Sequence, residues 1–190
     1  MKQTDNFKKH THRNPIQRFL LDNFFRTLLK LTAGKKIENI LDVGSGEGFT
    51  LNRLMENKIG SMWEGIEYSK DAIAIGHKIY PKVKIKQGSI YKLPYEDNIF
   101  DLVLCTEVLE HLENPDRALE ELVRVSKKYL AVSVPNEPFF MLAQIIRGKN
   151  WSRFGNDIEH FNHWTAFNFP KFVLKNTQGL KSLNGISGLT

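Results

Sequence analysis

Two short stretches of this 190-residue sequence carry side chains suited to chemistry. In Cys105-Thr106-Glu107-Val108-Leu109-Glu110-His111, two carboxylates and an imidazole fall at i, i+3 and i+4. One helical turn would bring all three to one face. Such a trio serves as a general-base cluster or as most of a metal site. A metal would need a further ligand, and His160 and His163, in Glu159-His160-Phe161-Asn162-His163-Trp164, are the candidates. Two glutamates with one or two histidines suit Mg²⁺ or Mn²⁺, though histidine also admits Fe²⁺ or Zn²⁺. A purely structural use of these residues is the third reading.

The other stretch is Ile40-Leu41-Asp42-Val43-Gly44-Ser45-Gly46-Glu47-Gly48. An apolar run ends in an acid and three alternating glycines, the pattern of a buried parallel strand that breaks into a tight loop before a helix. The glycines permit positive φ and let a ligand lie on bare backbone. Two ligand classes compete. A dinucleotide loop reads G-x-G-x-x-G with an acid about 20 residues on for the ribose. Here the glycines are one residue closer, and Glu67 is at the ribose distance. Glu67 suits any ribose, so the charges around the loop decide. Asp42 ends the strand and Glu47 lies in the loop. A pyrophosphate would be repelled there. S-adenosylmethionine carries an ammonium and a sulfonium and no phosphate. A unit-charge contact at ~4 Å is worth roughly 4 kcal/mol at an effective dielectric of about 20 before desolvation. That is enough to select the cation.

At this point the chain resembles the class I S-adenosylmethionine-dependent methyltransferases. The resemblance rests on Leu41-Asp42-Val43-Gly44-Ser45-Gly46-Glu47-Gly48, Gly65-Ile66-Glu67-Tyr68-Ser69, Leu93-Pro94-Tyr95 and Phe100-Asp101-Leu102-Val103-Leu104, in that order. It implies an α/β fold: a Rossmann-like, mostly parallel six- or seven-stranded sheet with helices on both faces, the last strand reversed. It also implies contacts. Asp42, Gly44, Ser45, Gly46 and Gly48 would hold the methionine end, with Glu67 on the ribose diol and Tyr68 beside it. Ser89 and Ile90 would meet the adenine, and Thr106 would lie near the methionyl group. Ser89 stands where the family usually has an aspartate. The chain ends ten residues after Leu180, so the sheet has six strands or the sequence is truncated. The Glu-x-x-Glu-His block is similar to that of the metal-dependent 2′-O-methyltransferases of small-RNA 3′ ends and of the ubiquinone-pathway O-methyltransferases. By the first likeness Glu107, Glu110, His111 and His160 would be both catalytic and metal-ligating.

The elements that must position these residues alternate. Pro15–Leu31 has apolar residues at helical spacing. Strands are expected at Glu38–Val43, Ser61–Glu67, Val83–Gln87, Ile99–Thr106 and Tyr129–Val134, with helices at 49–57, 69–80 and 115–126. That alternation argues for a parallel sheet with every strand's C-terminal end on one ligand-binding edge. One domain is expected over 1–190: an N-terminal tail and helix (1–35), a cofactor-binding core (36–135), and an aromatic-rich lid with C-terminal elements (136–190). Residues 1–14 read as a frayed tail, the alternative being an arm over a ligand. Seven of the 13 phenylalanines fall between 139 and 172. They form a lid, a pocket wall or simply core. A helix is expected at Phe139–Arg147, a loop at Gly148–His163, a helix from Asn168 to Asn176 and one more strand at Leu180–Ile186.

Composition sets the class. Hydrophobic residues at 41% and charged residues at 25% are globular values. No apolar run reaches the ~20 residues of a membrane span, and the polar N-terminus lacks a signal peptide's apolar region. With the single cysteine Cys105, the simplest reading is a cytoplasmic protein without an internal disulfide. The net charge of +6 suits an anionic partner without demanding one. The chemistry favours O-methylation of a small hydroxylated molecule, since a neutral hydroxyl needs a base or metal to lose its proton. The alternatives are methylation of an RNA 3′ end, a non-catalytic cofactor-binding module, and a nucleotide-dependent oxidoreductase.

Overall fold

The structure is a computed structural model that describes residues 4, 6, 7, 15–136 and 161–177. Its elements are α1 (Pro15–Thr32), β1 (Asn39–Val43), α2 (Phe49–Glu56), β2 (Met62–Glu67), α3 (Lys70–Ile79), β3 (Lys84–Gln87) and β4 (Phe100–Thr106). A 3₁₀ turn (Leu109–His111), α4 (Pro115–Val125), β5 (Ser126–Ser133) and α5 (Asn168–Asn176) follow. The five described strands are all parallel, in the order β3-β2-β1-β4-β5. Every strand therefore ends on one edge, and the loops behind Val43, Glu67, Gln87 and Thr106 meet there.

Residue chemistry sets the element ends. The Ser69 side chain caps α3 by accepting from the Ala72 amide at 3.2 Å, and Asp71 lies in the first turn. Pro115 opens α4, where a missing N–H does no harm. β1 and β4 are covered on both faces and so are apolar almost throughout. Leu41, Val43, Val103 and Cys105 pack with Leu119, Leu122 and Trp164 on one face. Ile40, Leu102 and Leu104 pack with Leu28, Leu51 and Leu54 on the other. The period-two alternation thus separates the two layers of helices.

Several expectations need correction. Among the described residues the sheet has five strands, and the expected sixth or seventh is not among them. The expected strand at Leu180–Ile186 and helix at Phe139–Arg147 lie outside the described residues, as does most of the 148–163 loop. β5 begins at Ser126 rather than Tyr129, so α4 runs straight into it. Between the pairs Phe100↔Ser126 and Leu102↔Tyr129, β5 carries one extra residue. This bulge masks the alternation that marks the rest of the strand. Thr4, Asn6 and Phe7 are not a frayed tail, because Thr4 and Asn6 hydrogen-bond to Glu47 in the glycine loop.

At the opposite edge of the sheet, Asp101 ties three strands. Its carboxylate accepts from the Glu38 and Asn39 amides at 2.8 and 3.3 Å and pairs with Lys128 Nζ at 2.8 Å. Burial pushes its pKa up, but Lys128 and the two amides outweigh this and hold it below the usual 3.8. Its contribution to stability is therefore complete above pH 3.8 and is lost as pH falls through the lower folded value. Asp101→Ala leaves Lys128 unpaired and two amides without their acceptor. It is expected to lower the unfolding free energy by about 3 kcal/mol in urea denaturation at pH 7. A change below about 0.5 kcal/mol would show that the tie is not structural.

Candidate active site

The glycine loop is held from the neighbouring strand. Gly44, Gly46 and Gly48 take φ of 77°, 54° and 83°, the left-handed region. The Gly44 and Ser45 amides both donate to the Ile66 carbonyl, at 2.8 and 3.2 Å. The Gly46 amide donates to Glu67 Oε2 at 2.8 Å, and Glu67 Oε1 accepts from the Ser69 amide at 2.7 Å. Gly65 makes the approach possible: a Cβ there would lie 2.6 Å from Ser45 Oγ. Gly44 opens the other side, where a Cβ would lie 2.3 Å from Val108 Cγ2. The loop is thereby packed against both β2 and the turn after β4.

Asp42 is only 2% exposed. Among the described residues its Oδ1 and the Ser45 Oγ are buried without a hydrogen-bond partner. Burial first, and the charge of Glu67 second, push the Asp42 carboxyl up to about 7. A buried carboxyl in this state is one that a bound cation would ionise. The orphaned oxygens, the bare-backbone loop and Glu67 therefore fit a small cationic ligand carrying a ribose.

The other expected contacts lie along the same edge. Tyr68 is 80% exposed. Ser89 follows β3, and its hydroxyl accepts from the Tyr91 amide at 3.3 Å. Ile90 packs against the apolar core, and Thr106 ends β4 half-buried.

Glu107, Glu110 and His111 do not share a face. The stretch makes one 3₁₀ turn over Leu109–His111, with Glu107 outside it at φ 58°. Glu107 turns toward β5: its amide donates to the Ser133 carbonyl and its Oε1 accepts from Ser133 Oγ at 3.3 Å. Glu110 is 1% exposed and faces the interior, while His111 faces solvent with Nε2 3.9 Å from Glu110 Oε1. Among the described residues no three His, Cys, Asp or Glu side chains gather into a metal site. Glu107 stands before the 3₁₀ turn, and its positive φ breaks the helical spacing that would have aligned it with Glu110 and His111. His160 lies outside the described residues. Burial, then Asp42 and Glu110, push the Cys105 thiol well up, which puts both carboxylates in one interior neighbourhood.

The end of the aromatic segment, from Phe161 on, returns to this edge. The Phe161 and Asn162 amides donate to the Glu110 carbonyl at 2.8 and 3.1 Å, and Asn162 Nδ2 donates to the Leu109 carbonyl at 3.3 Å. Trp164 is buried against Phe169 and Phe172, so these rings are core, and His163 is exposed. Sequence reasoning missed Asn162, whose histidine neighbours drew attention to metal ligation, and the partners of Glu47. Only the structure brings residues so distant in the chain together.

Comparison with known proteins agrees with this geometry. Residues 41–129 match the family model described as a methyltransferase domain. The chain is 34% identical over 98 residues to norajmaline N-methyltransferase of Rauvolfia serpentina, covering 48% of this chain and 33% of that protein. It is 30% identical over 104 residues to a probable S-adenosylmethionine-dependent methyltransferase of Mycobacterium tuberculosis, covering 54% and 37%. The chain thus spans about a third of the length of these curated relatives. The fold is shared with the plantazolicin methyltransferase BpumL, solved with SAH, at a TM-score of 0.68 and 22% identity over 91% of this chain and 67% of that one. The family match centres on the glycine loop and the strands around it.

Asp42 yields a prediction of definite sign. Its folded pKa is above the unfolded value, so the native state keeps a proton that the unfolded chain loses. Stability falls as pH rises from about 4 to about 7, then levels off. Asp42→Asn is expected to raise the melting free energy of the ligand-free protein at pH 8 by up to about 4 kcal/mol, and by little at pH 4. Thermal denaturation at both pH values measures this. An equal effect at the two would show that Asp42 is ionised throughout.

Proposed function

We propose that this chain, whose residues 41–129 match a methyltransferase-domain family model, works as an S-adenosylmethionine-dependent methyltransferase acting on a small hydroxylated molecule. The single observation that carries the cofactor reading is the buried Asp42 carboxyl, with an oxygen left without a partner beside the glycine loop. When bound, the cofactor supplies an electrophilic methyl group on a sulfonium. Asp42 would face its positive end, and Glu67 would exchange its amide partners for the ribose hydroxyls. Ser45 Oγ and the loop backbone would complete the cradle at the methionine end, with Gly44, Gly46 and Gly48 allowing close approach. Tyr68, Ser89 and Ile90 would line the adenine side, and Thr106 the methionyl side.

On the acceptor side, His111 is the candidate base. Its imidazole is exposed at the edge, with the buried Glu110 carboxylate behind it to steady the cation formed when it takes a proton. This arrangement needs no metal among the described residues, and the divalent cation has no support there. An exposed base at the edge supports a hydroxyl acceptor, whereas the Rauvolfia relative is named for methylation at nitrogen. Nothing in the matched relatives favours an RNA 3′ end or an oxidoreductase.

Calorimetry with S-adenosylmethionine and with NAD tests the cofactor. Binding of the first alone is expected, and preference for NAD would overturn the reading. A radiolabelled-methyl screen over phenols, catechols, amines and RNA 3′ ends identifies the acceptor. His111→Ala is expected to lower turnover by about 10²-fold or more with cofactor affinity within a few-fold. Full activity of that variant would remove His111 as the base.

A further inference from the structure

Glu47 sits inside the glycine loop and is fully buried, yet its hydrogen bonds among the described residues come from outside the loop. Its two carboxylate oxygens accept from Thr4 Oγ1 and Asn6 Nδ2, more than 40 residues earlier in the chain. Thr4 Oγ1 in turn accepts from the Phe7 amide at 3.0 Å. The Phe7 ring stands 6.3 Å from that of Phe49, which meets Tyr80 edge-on at 5.5 Å. Asn6 lies against the loop itself. A Cβ on Gly46 would lie 2.5 Å from Asn6 Nδ2, so Asn6 rests on the bare backbone of the middle glycine. On its amide side, the same glycine is held by Glu67.

We propose that Thr4, Asn6 and Phe7 form a cover on the glycine loop, latched by Glu47, and that Asn6 is a positioning residue of the cofactor site. This rests on the cofactor reading above. Glu47 then acts through the cover, not by facing the ligand. A ligand that draws Glu67 away from Gly46 works on a glycine whose other side is fixed by Asn6. The loop keeps its shape while its amide partner changes. A buried carboxylate holding two neutral donors is a strong latch, because either donor leaves behind an unsatisfied charge. A ligand held against the loop would then leave only as those hydrogen bonds open.

The test is the exchange rate of bound SAH, read by displacement of radiolabelled SAH from the full chain. The Thr4→Val/Asn6→Ala double variant leaves the loop sequence intact, and Glu47→Gln removes the charge that holds both donors. Both are expected to release SAH about tenfold faster or more, since binding changes of this kind fall mainly on the off-rate. Hydrogen exchange on the ligand-free double variant is expected to show faster exchange at Glu47 and Gly48. An off-rate within twofold of wild type in the double variant overturns the proposal, including the case where only the melting temperature moves. A wild-type chain that does not bind SAH overturns the cofactor reading and this inference with it. Binding with an indifferent off-rate overturns this inference alone.

Discussion

The structure depends on one backbone constraint: the leading amides of a loop with three left-handed glycines must find acceptors outside the loop. Residues in that conformation direct N–H groups where no helix or strand partner waits. The end of β2 supplies the acceptors. The Ile66 carbonyl takes Gly44 and Ser45, and the Glu67 carboxylate takes Gly46. The register that pairs Val43 with Ile66 places these groups level with the loop. Three consecutive residues of β2 thus serve one purpose. Gly65 makes room for Ser45, Ile66 anchors the first amides, and Glu67 holds the third while facing the ligand edge.

Two buried aspartates show how the same residue type is used in opposite ways. Asp101 has a lysine and two amides around it and holds the N-terminal edge of the sheet. Asp42, at the other edge, has a buried oxygen without a partner among the described residues and a second carboxylate nearby. The first satisfies its charge within the fold. The second leaves the demand open, and that open demand is where a ligand can contribute most. Stability and recognition are therefore separated along the strand direction.

Much of the fold was legible because periodicity and caps agree. The apolar runs of β1 and β4, Ser69 before α3, and Pro115 at the start of α4 each mark an element end that the structure keeps within one or two residues. The glycine loop and Glu67 were legible for the same reason: their spacing reflects backbone geometry. The acidic turn was less so. Glu107, Glu110 and His111 fit an α-helical face by number, but a 3₁₀ turn and the positive φ of Glu107 take Glu107 to β5, bury Glu110 and leave His111 exposed. Spacing alone does not distinguish those turns. The bulge at the start of β5 was hidden because Lys127 and Lys128 interrupt the alternation. The ties from Thr4 and Asn6 to Glu47, and from Asn162 to the acidic turn, join residues far apart in the chain. No local pattern records them.

The strand order has a consequence for how the chain comes together. β1 lies at the middle of the described sheet, paired with β2 on one side and β4 on the other. β2 follows β1 closely, but β4 arrives only after α3, β3 and the loop behind it. Ile40 therefore meets Leu102 across a span of more than 60 residues. Until then, the flank of β1 that β4 will cover is an open strand edge rich in large aliphatic side chains. During synthesis that edge waits while the intervening helices emerge, and a second nascent chain could pair with it. Assembly of this sheet is accordingly slow, since its central pairing is non-local. The interval before β4 docks is when the protein is most exposed to self-association.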